Sequence, residues 1–270
     1  MAVGDGVPLV TTDWDGARYR RVNTLQQWLA ARALDDVDLD GVQRLLDVGC
    51  GDGRVTEQLA ARLPTAPGVR CVGIDPSPGM IAVAPTGPRL EFEVGDVTTM
   101  VFADEFDLVV SFNALHWVLD QRQAWTVIAR ALHTGTSPGR CLAVFVCAGP
   151  RPSLEDVAMT VAHGPSWVTA FEGFAAPYVH PDPAVWRSTA EAAGLDVERM
   201  RVDDLEWDFG SREAFTAWCT VGFGAWTSRL TDEEAPRFMA DVVDAYAAAT
   251  GSPQTFRFMQ LVASLRRTRA

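Results

Sequence analysis

Residues 45–54 read Leu45-Leu46-Asp47-Val48-Gly49-Cys50-Gly51-Asp52-Gly53-Arg54: an apolar strand, an acid, then three alternating glycines opening into a helix. Glycines in such a turn let the backbone bend sharply and approach a ligand closely, because no Cβ stands in the way. A dinucleotide-binding turn, G-x-G-x-x-G, asks for a third glycine where this chain has Arg54. The acid two residues ahead of the first glycine is a different pattern as well. Asp47 can accept a hydrogen bond from an ammonium group, which a pyrophosphate ligand does not offer. A second acid, Asp75, ends Val72-Gly73-Ile74 and lies 22 residues beyond Gly53. A carboxylate there can take both ribose hydroxyls of an adenosine-bearing ligand. A third, Asp96 in Val94-Gly95-Asp96-Val97, is placed to accept from an adenine amino group.

Those acids need successive strand ends to hold them, and the texture supplies them. Short apolar strands are expected at Val42 to Val48, Val69 to Ile74, Leu90 to Val94, Asp107 to Phe112 and Cys141 to Cys147. Helices are expected between them at Arg54 to Leu63, Gly79 to Ala84 and Arg122 to Leu132, after a first amphipathic helix from Trp14 to about Leu34. This alternation predicts a doubly wound α/β fold, a parallel sheet covered by helices on both faces. After Gly149-Pro150 the texture changes. Residues 151–180 are rich in aromatics, glycine and proline, as suits an irregular or helical insertion. A helix from Pro183 to Ala193, a sixth strand from Leu195 to Phe209, helices at Ser211 to Trp226 and Asp232 to Thr250, and a last strand at Phe256 to Leu265 follow. Residues 1–150 are therefore expected to form the nucleoside-binding core, and residues 151–270 an acceptor-binding lid plus the last strands of the same sheet.

Composition narrows the function classes. The chain has 270 residues, 48% hydrophobic and 21% charged, which is ordinary globular composition. A net charge of −12 gives no electrostatic footprint for nucleic acid or an anionic membrane. All 23 basic residues are arginine, which argues against Schiff-base and P-loop chemistry. Five scattered cysteines without a CxxC pair make a disulfide framework or a structural zinc site unexpected. Residues Met1 to Val10 lack the pattern of a signal peptide, and no apolar run approaches the roughly 20 residues of a membrane span. A cytoplasmic monomer or homodimer is expected.

With these residues in place, the sequence resembles the class I S-adenosylmethionine-dependent methyltransferases. The segment Ser111-Phe112-Asn113-Ala114-Leu115-His116-Trp117-Val118, followed by Asp120-Gln121-Arg122-Gln123-Ala124, is similar to the juvenile hormone acid and trans-aconitate methyltransferases within that class. So is the N-terminal Tyr19-Arg20-Arg21-Val22-Asn23-Thr24-Leu25-Gln26. The resemblance implies a seven-stranded sheet with one antiparallel strand, an N-terminal helical flap and a lid. It also implies that S-adenosylmethionine is held by Asp47, Gly49, Cys50, Gly51, Gly53, Asp75, Pro76, Met80, Asp96, Val97 and Asn113, with its sulfonium near residues 113–117. A small, largely apolar acceptor from secondary metabolism would lie between that segment, the N-terminal helix and the lid.

Methyl transfer from a sulfonium is an in-line displacement, so much of the catalysis can come from geometry. A carboxylate acceptor is already ionised and needs only neutral donors to orient it, and Gln26 and the indole of Trp117 are of that type. A hydroxyl acceptor needs a base, for which His116 is the histidine beside the expected methyl position. A C-methyl acceptor needs aromatic faces to stabilise a cation and a later base such as Glu172. N-methylation of a secondary metabolite and non-catalytic cofactor binding stay open beside these. The chain lacks the Asn/Asp-Pro-Pro-Tyr/Phe tetrapeptide after the fourth strand that amino-methylation of bases or glutamine would use.

Overall fold

The structure is a computed structural model that describes residues 24–268. The N-terminal part of the expected first helix, with the Tyr19-to-Asn23 segment, lies outside the described residues. Seven strands form one sheet: β1 (Arg44–Val48), β2 (Arg70–Asp75), β3 (Leu90–Val94), β4 (Leu108–Phe112), β5 (Arg140–Val146), β6 (Leu195–Asp208) and β7 (Thr255–Arg267). Their order is β3-β2-β1-β4-β5-β7-β6. The first five pair in parallel, and β7 runs antiparallel to both β5 and β6. The expected sheet with one antiparallel strand is what the chain forms.

The central strands are apolar throughout because both faces are covered. On one face Trp125 of α4 (Gln121–Ala131) meets Trp186 of α6 (Pro183–Ala192) edge to face at 5.2 Å, over Phe145 of β5. On the other, α2 (Arg54–Arg62) and the end of α1 (Thr24–Asp35) pack on Leu45, Val110 and Val144. Strand order reverses between β1 and β4, so the loops after these two strands diverge and leave a crevice at their carboxyl ends. Ligands of open α/β sheets bind there. The short α3 (Pro78–Ile81) caps the exit of β2, with the Ser77 hydroxyl accepting from the Met80 N–H.

The lid grows from the sheet. Residues 260–266 of β7 pair with β5, whereas residues 255–259 pair with β6 alone. The antiparallel β6–β7 pair, its strands joined through residues 209–254, thus overhangs the carboxyl edge by five residues, about 17 Å of strand. Phe256 and Phe258 on this overhang gather α5 (Leu154–Ala162), α7 (Arg212–Gly222), α8 (Gly224–Thr227), α9 (Glu234–Thr250) and the first half of α1 into a second, aromatic core. Residues 151–180, expected to be irregular or helical, contain a regular helix, α5, started by a reciprocal capping box between Ser153 and Asp156. One local expectation changes. The single helix expected from Ser211 to Trp226 is broken at Phe223, which stands between Gly222 and Gly224 with φ −105° and ψ 43°.

Tyr246 of α9 fastens the lid to this strand pair. Its hydroxyl donates to the Arg257 carbonyl at 2.8 Å and accepts from the Arg257 N–H at 3.1 Å. Tyr246→Phe strands both groups, and is expected to lower stability by about 1–3 kcal/mol, read as a lower urea midpoint at unchanged slope.

Candidate active site

The loop after β1 is tied back onto β2. The Gly49 and Cys50 N–H groups both donate to the Ile74 carbonyl, at 2.8 and 3.0 Å. The three glycines of the motif then differ in what they make room for. A Cβ on Gly49 would stand 2.1 Å from the Cβ of Ala114, so this glycine lets the segment after β4 close onto the loop. A Cβ on Gly53 would collide with Phe92 at 2.7 Å and Pro85 at 2.9 Å, which makes its role the packing of the loop against β3. A Cβ on Gly51 would meet nothing within 4 Å. Of the three, Gly51 is the one that faces open space. Its φ of 56° turns its N–H toward Asp75, 2.9 Å from Oδ2. Cys50 is buried with its thiol pushed far up by burial, so it packs and does not act as a nucleophile.

The three acids stand at the ends of neighbouring strands. Asp47 is 1% exposed. Its Oδ2 accepts from the Thr56 hydroxyl at 2.7 Å, and its Oδ1 is buried without a partner among the described residues. Burial, only partly offset by Thr56, pushes its carboxyl up to about 7. Asp75 accepts N–H groups from Gly51 and Ser77, each at 2.9 Å, and burial raises it despite them. Asp96 accepts from the N–H and hydroxyl of Thr98 at 2.7 and 2.6 Å. Met80 and Val97 are buried beside these acids, while Pro76 is exposed at the mouth of the loop. An S-adenosylmethionine cofactor fits this donor set: Asp47 Oδ1 is an acceptor for its ammonium, Gly51 leaves room, and Asp75 suits a ribose.

On the β4 side, the Ser111 hydroxyl donates to the Val48 carbonyl at 2.8 Å and joins the two strand ends. Asn113 then adopts φ 55°, its N–H 2.6 Å from the Val144 carbonyl. Its Oδ1 accepts from Gln260 Nε2 at 2.9 Å. Gln260 is buried in β7, and sequence reasoning missed it although a lone amide in Phe256-to-Leu265 is a visible exception. Leu115–Trp117 form a 3-10 turn whose carbonyls at Leu115 and Val118 accept from Gln121 Nε2 at 2.6 and 2.7 Å. His116 is buried in that turn with Nδ1 unpartnered, and burial together with nearby His180 holds its imidazole well below the usual range. Its carbonyl accepts the Val179 N–H at 2.7 Å, which straps residues 177–180 across the turn. Trp117 is half-buried, edge to face with Trp226 at 6.3 Å and Tyr178 at 6.5 Å.

Gln26 reaches the lid core from α1. Its Oε1 accepts from Trp218 Nε1 at 3.2 Å, which fixes which end of the amide is the donor. Glu172 needs correction. It is exposed, and its backbone carbonyl rather than its carboxylate makes the recorded contact, accepting from Arg229. It follows Phe171, which takes the inward position of that turn. The buried acid of this segment is Glu155, which sequence reasoning missed because an acid in the first turn of a helix ordinarily faces water. Among the described residues no group of three or more His, Cys, Asp or Glu side chains is arranged to hold a metal, and no helix is long and apolar enough to cross a membrane.

Two outcomes follow from this geometry. Gly49→Ala is expected to cost about 1–3 kcal/mol of stability through the Ala114 collision, seen as a lower melting temperature. Gly51→Val meets no collision but strains the backbone at φ 56°, and in the folded fraction it is expected to abolish cofactor binding because the side chain fills the open space; unchanged affinity by calorimetry removes the assignment. Asp47 adds a pH signature. An ammonium beside it favours its ionised form, so binding below about pH 7 releases a proton. Affinity is expected to be level above about pH 8 and to fall by about tenfold per unit once well below pH 7. Titration in buffers of different ionisation enthalpy checks it, and a flat profile rules out the contact.

Comparison with known proteins bears on the same region. Residues 46–137 match a family described as "Methyltransferase domain". The chain is 39% identical to a trans-aconitate 2-methyltransferase of Variovorax paradoxus over 134 residues, 49% of each chain. It is 34% identical to the juvenile hormone acid O-methyltransferase of Bombyx mori over 174 residues, 59% of this chain and 60% of that one. The match thus spans about half to three-fifths of these relatives' lengths. The solved structure of the YcgJ protein from Bacillus subtilis superposes with a TM-score of 0.63 at 17% identity, covering 90% of this chain and 100% of that one, a likeness of fold.

Proposed function

We propose that this chain is a class I S-adenosylmethionine-dependent methyltransferase and that it methylates a carboxylate oxygen of a small, largely apolar acid. The observation that carries this reading is the condition of His116. A hydroxyl acceptor needs a base, and burial makes this histidine a poor one. A carboxylate needs none. Glu172, the acid expected to serve C-methylation, is exposed, and the acid of that segment that turns inward is Glu155. The relatives named for trans-aconitate and juvenile hormone acid act on acids, which supports the same choice.

When bound, the cofactor supplies an electrophilic methyl group on a sulfonium. Asp47, Asp75 and Asp96 would hold its ammonium, ribose and adenine, and Gly51 would let it lie against the loop. The acceptor would enter between the Leu115–Trp117 turn and the aromatic lid core. Gln26, oriented by Trp218, and the Trp117 indole would direct one carboxylate oxygen at the methyl without quenching its charge. An ionised carboxylate held by these donors would take the methyl group with no proton to remove, so no residue of the chain would have to act as a base. The lid core is built from aromatic and aliphatic side chains, with Arg32 and Arg229 stacked on the Trp28 and Phe174 rings at 5.1 and 5.3 Å, which suits an acid with an apolar body. Five buried, unbridged cysteines suit a cytoplasmic setting.

A turnover screen tests the reading. Lipophilic monocarboxylic acids are expected to give methyl esters, with trans-aconitate a much poorer substrate and the rate at saturating S-adenosylmethionine level across about pH 6.5–9, since no essential base titrates there. Trp117→Phe is expected to lower kcat/KM by about tenfold or more, the loss of one hydrogen bond to a charged group. Turnover confined to phenols or alcohols overturns the carboxylate assignment.

A further inference from the structure

Eight buried side-chain nitrogen or oxygen atoms among the described residues have no hydrogen-bond partner, and four of them lie together in the lid core: His116 Nδ1, His180 Nε2, Glu155 Oε2 and Trp226 Nε1. The His116 and His180 rings are 6.0 Å apart, and His180 Nε2 stands 3.9 Å from Glu155 Oε2. Tyr178 bridges the rest, with ring centroids 4.7 Å from His180 and 6.1 Å from Trp226. Folded proteins leave few buried polar atoms unsatisfied, and each one costs about 1–3 kcal/mol. Four in one place, amid rings that could as well have been apolar, point to a polar group that arrives from outside.

We infer that this cluster is the subsite for a hydroxyl group carried by the acceptor at a position remote from the methylated oxygen. The substrate class is therefore a hydroxylated apolar acid. The separation of His180 Nε2 and Glu155 Oε2 is about 1 Å too long for a direct hydrogen bond, yet both can reach one oxygen placed between them. A hydroxyl suits the mixture, because it donates to the Glu155 carboxylate and accepts from an imidazole or the Trp226 N–H. A second carboxylate does not, since it would lie against the Glu155 carboxylate. The inference rests on the reading of this pocket as the acceptor site.

The test uses the full chain loaded with S-adenosylhomocysteine, titrated with three matched series of six to twelve carbons: alkanoic acids, their ω-hydroxy acids and the corresponding diacids. At one chain length or more the hydroxy acid is expected to bind at least tenfold more tightly than its parent acid, and the diacid no better than the parent. Glu155→Leu and His180→Phe are each expected to erase that preference while cofactor binding is kept, and the double substitution, which leaves neither group facing an apolar partner, is expected to hold the melting temperature of the acceptor-free protein better than either single one. Glu155→Gln keeps the shape and serves where leucine does not fold. No hydroxyl preference at any length, a preference for the diacid, or no binding by any series overturns the inference. So does a preference that survives the substitutions, as when the cluster holds only a resident water. Product analysis with S-adenosylmethionine adds a further check, since methylation on the hydroxyl also overturns it. Loss of S-adenosylhomocysteine binding by the unaltered chain is a separate failure, that of the cofactor reading itself.

Discussion

The antiparallel pairing of β7 with β5 is the constraint on which the rest of the molecule depends. One strand serves two cores: Leu261, Ala263 and Leu265 lie in the core between sheet and helices, and Phe256 and Phe258 lie in the lid core. Register decides this division, because a one-residue slip would turn every side chain of β7 to the opposite face. Gln260 sits at the changeover. Opposite Val146, the last residue of β5, it leaves the ladder with its amide on Asn113, and so the strand that builds the lid also sets the residue that ends β4. Lid and cofactor edge are therefore held in one frame rather than joined by a linker.

The two halves of the site use charge in opposite ways. The cofactor half is acidic, with Asp47, Asp52, Asp75 and Asp96 around one glycine loop, and suits a nucleoside that brings its own positive charge. The acceptor half is aromatic, and its buried polar groups are neutral donors, imidazoles and the single acid Glu155. Methyl transfer to a carboxylate joins a cation and an anion into neutral products, and a fixed positive charge beside the acceptor would stabilise the starting anion more than the transition state.

Much of this was legible in the chain. The strand-glycine-helix pattern and the acids at 47, 75 and 96 are local features, read over a few residues, and the sheet places them at adjacent strand ends as the spacing requires. The segment from Asn113 to Trp117 was legible as well, because it follows β4 directly. What escaped is non-local. Gln260 matters through a residue 147 positions away, and Glu155 turns inward through tertiary packing, against the habit of acids in a first helical turn. Glu172 was misjudged for the complementary reason. Composition marks residues 151–180 as aromatic and enclosed, but which side of the Phe171–Phe174 turn faces the core is set by Phe238 and Trp226, from distant helices.

The distribution of unsatisfied polar atoms ties stability to function. Besides the four in the lid core, Asp47 Oδ1 at the glycine loop is buried without a partner, so five of the eight such atoms belong to the two halves of one site. A chain shaped by stability alone would replace these groups with apolar ones of similar volume, since burying an unpaired polar atom is costly and filling its place with carbon is not. Their retention at one end of the molecule, above the carboxyl edge of the sheet, is what a site completed by its ligands requires. Asp47 is the clearer member of the set: burial disfavours its charge when it stands alone, and a cationic ligand restores that charge. The same logic extended to Glu155 and His180 explains why an otherwise aromatic lid core keeps an acid and a histidine facing each other just beyond bonding distance.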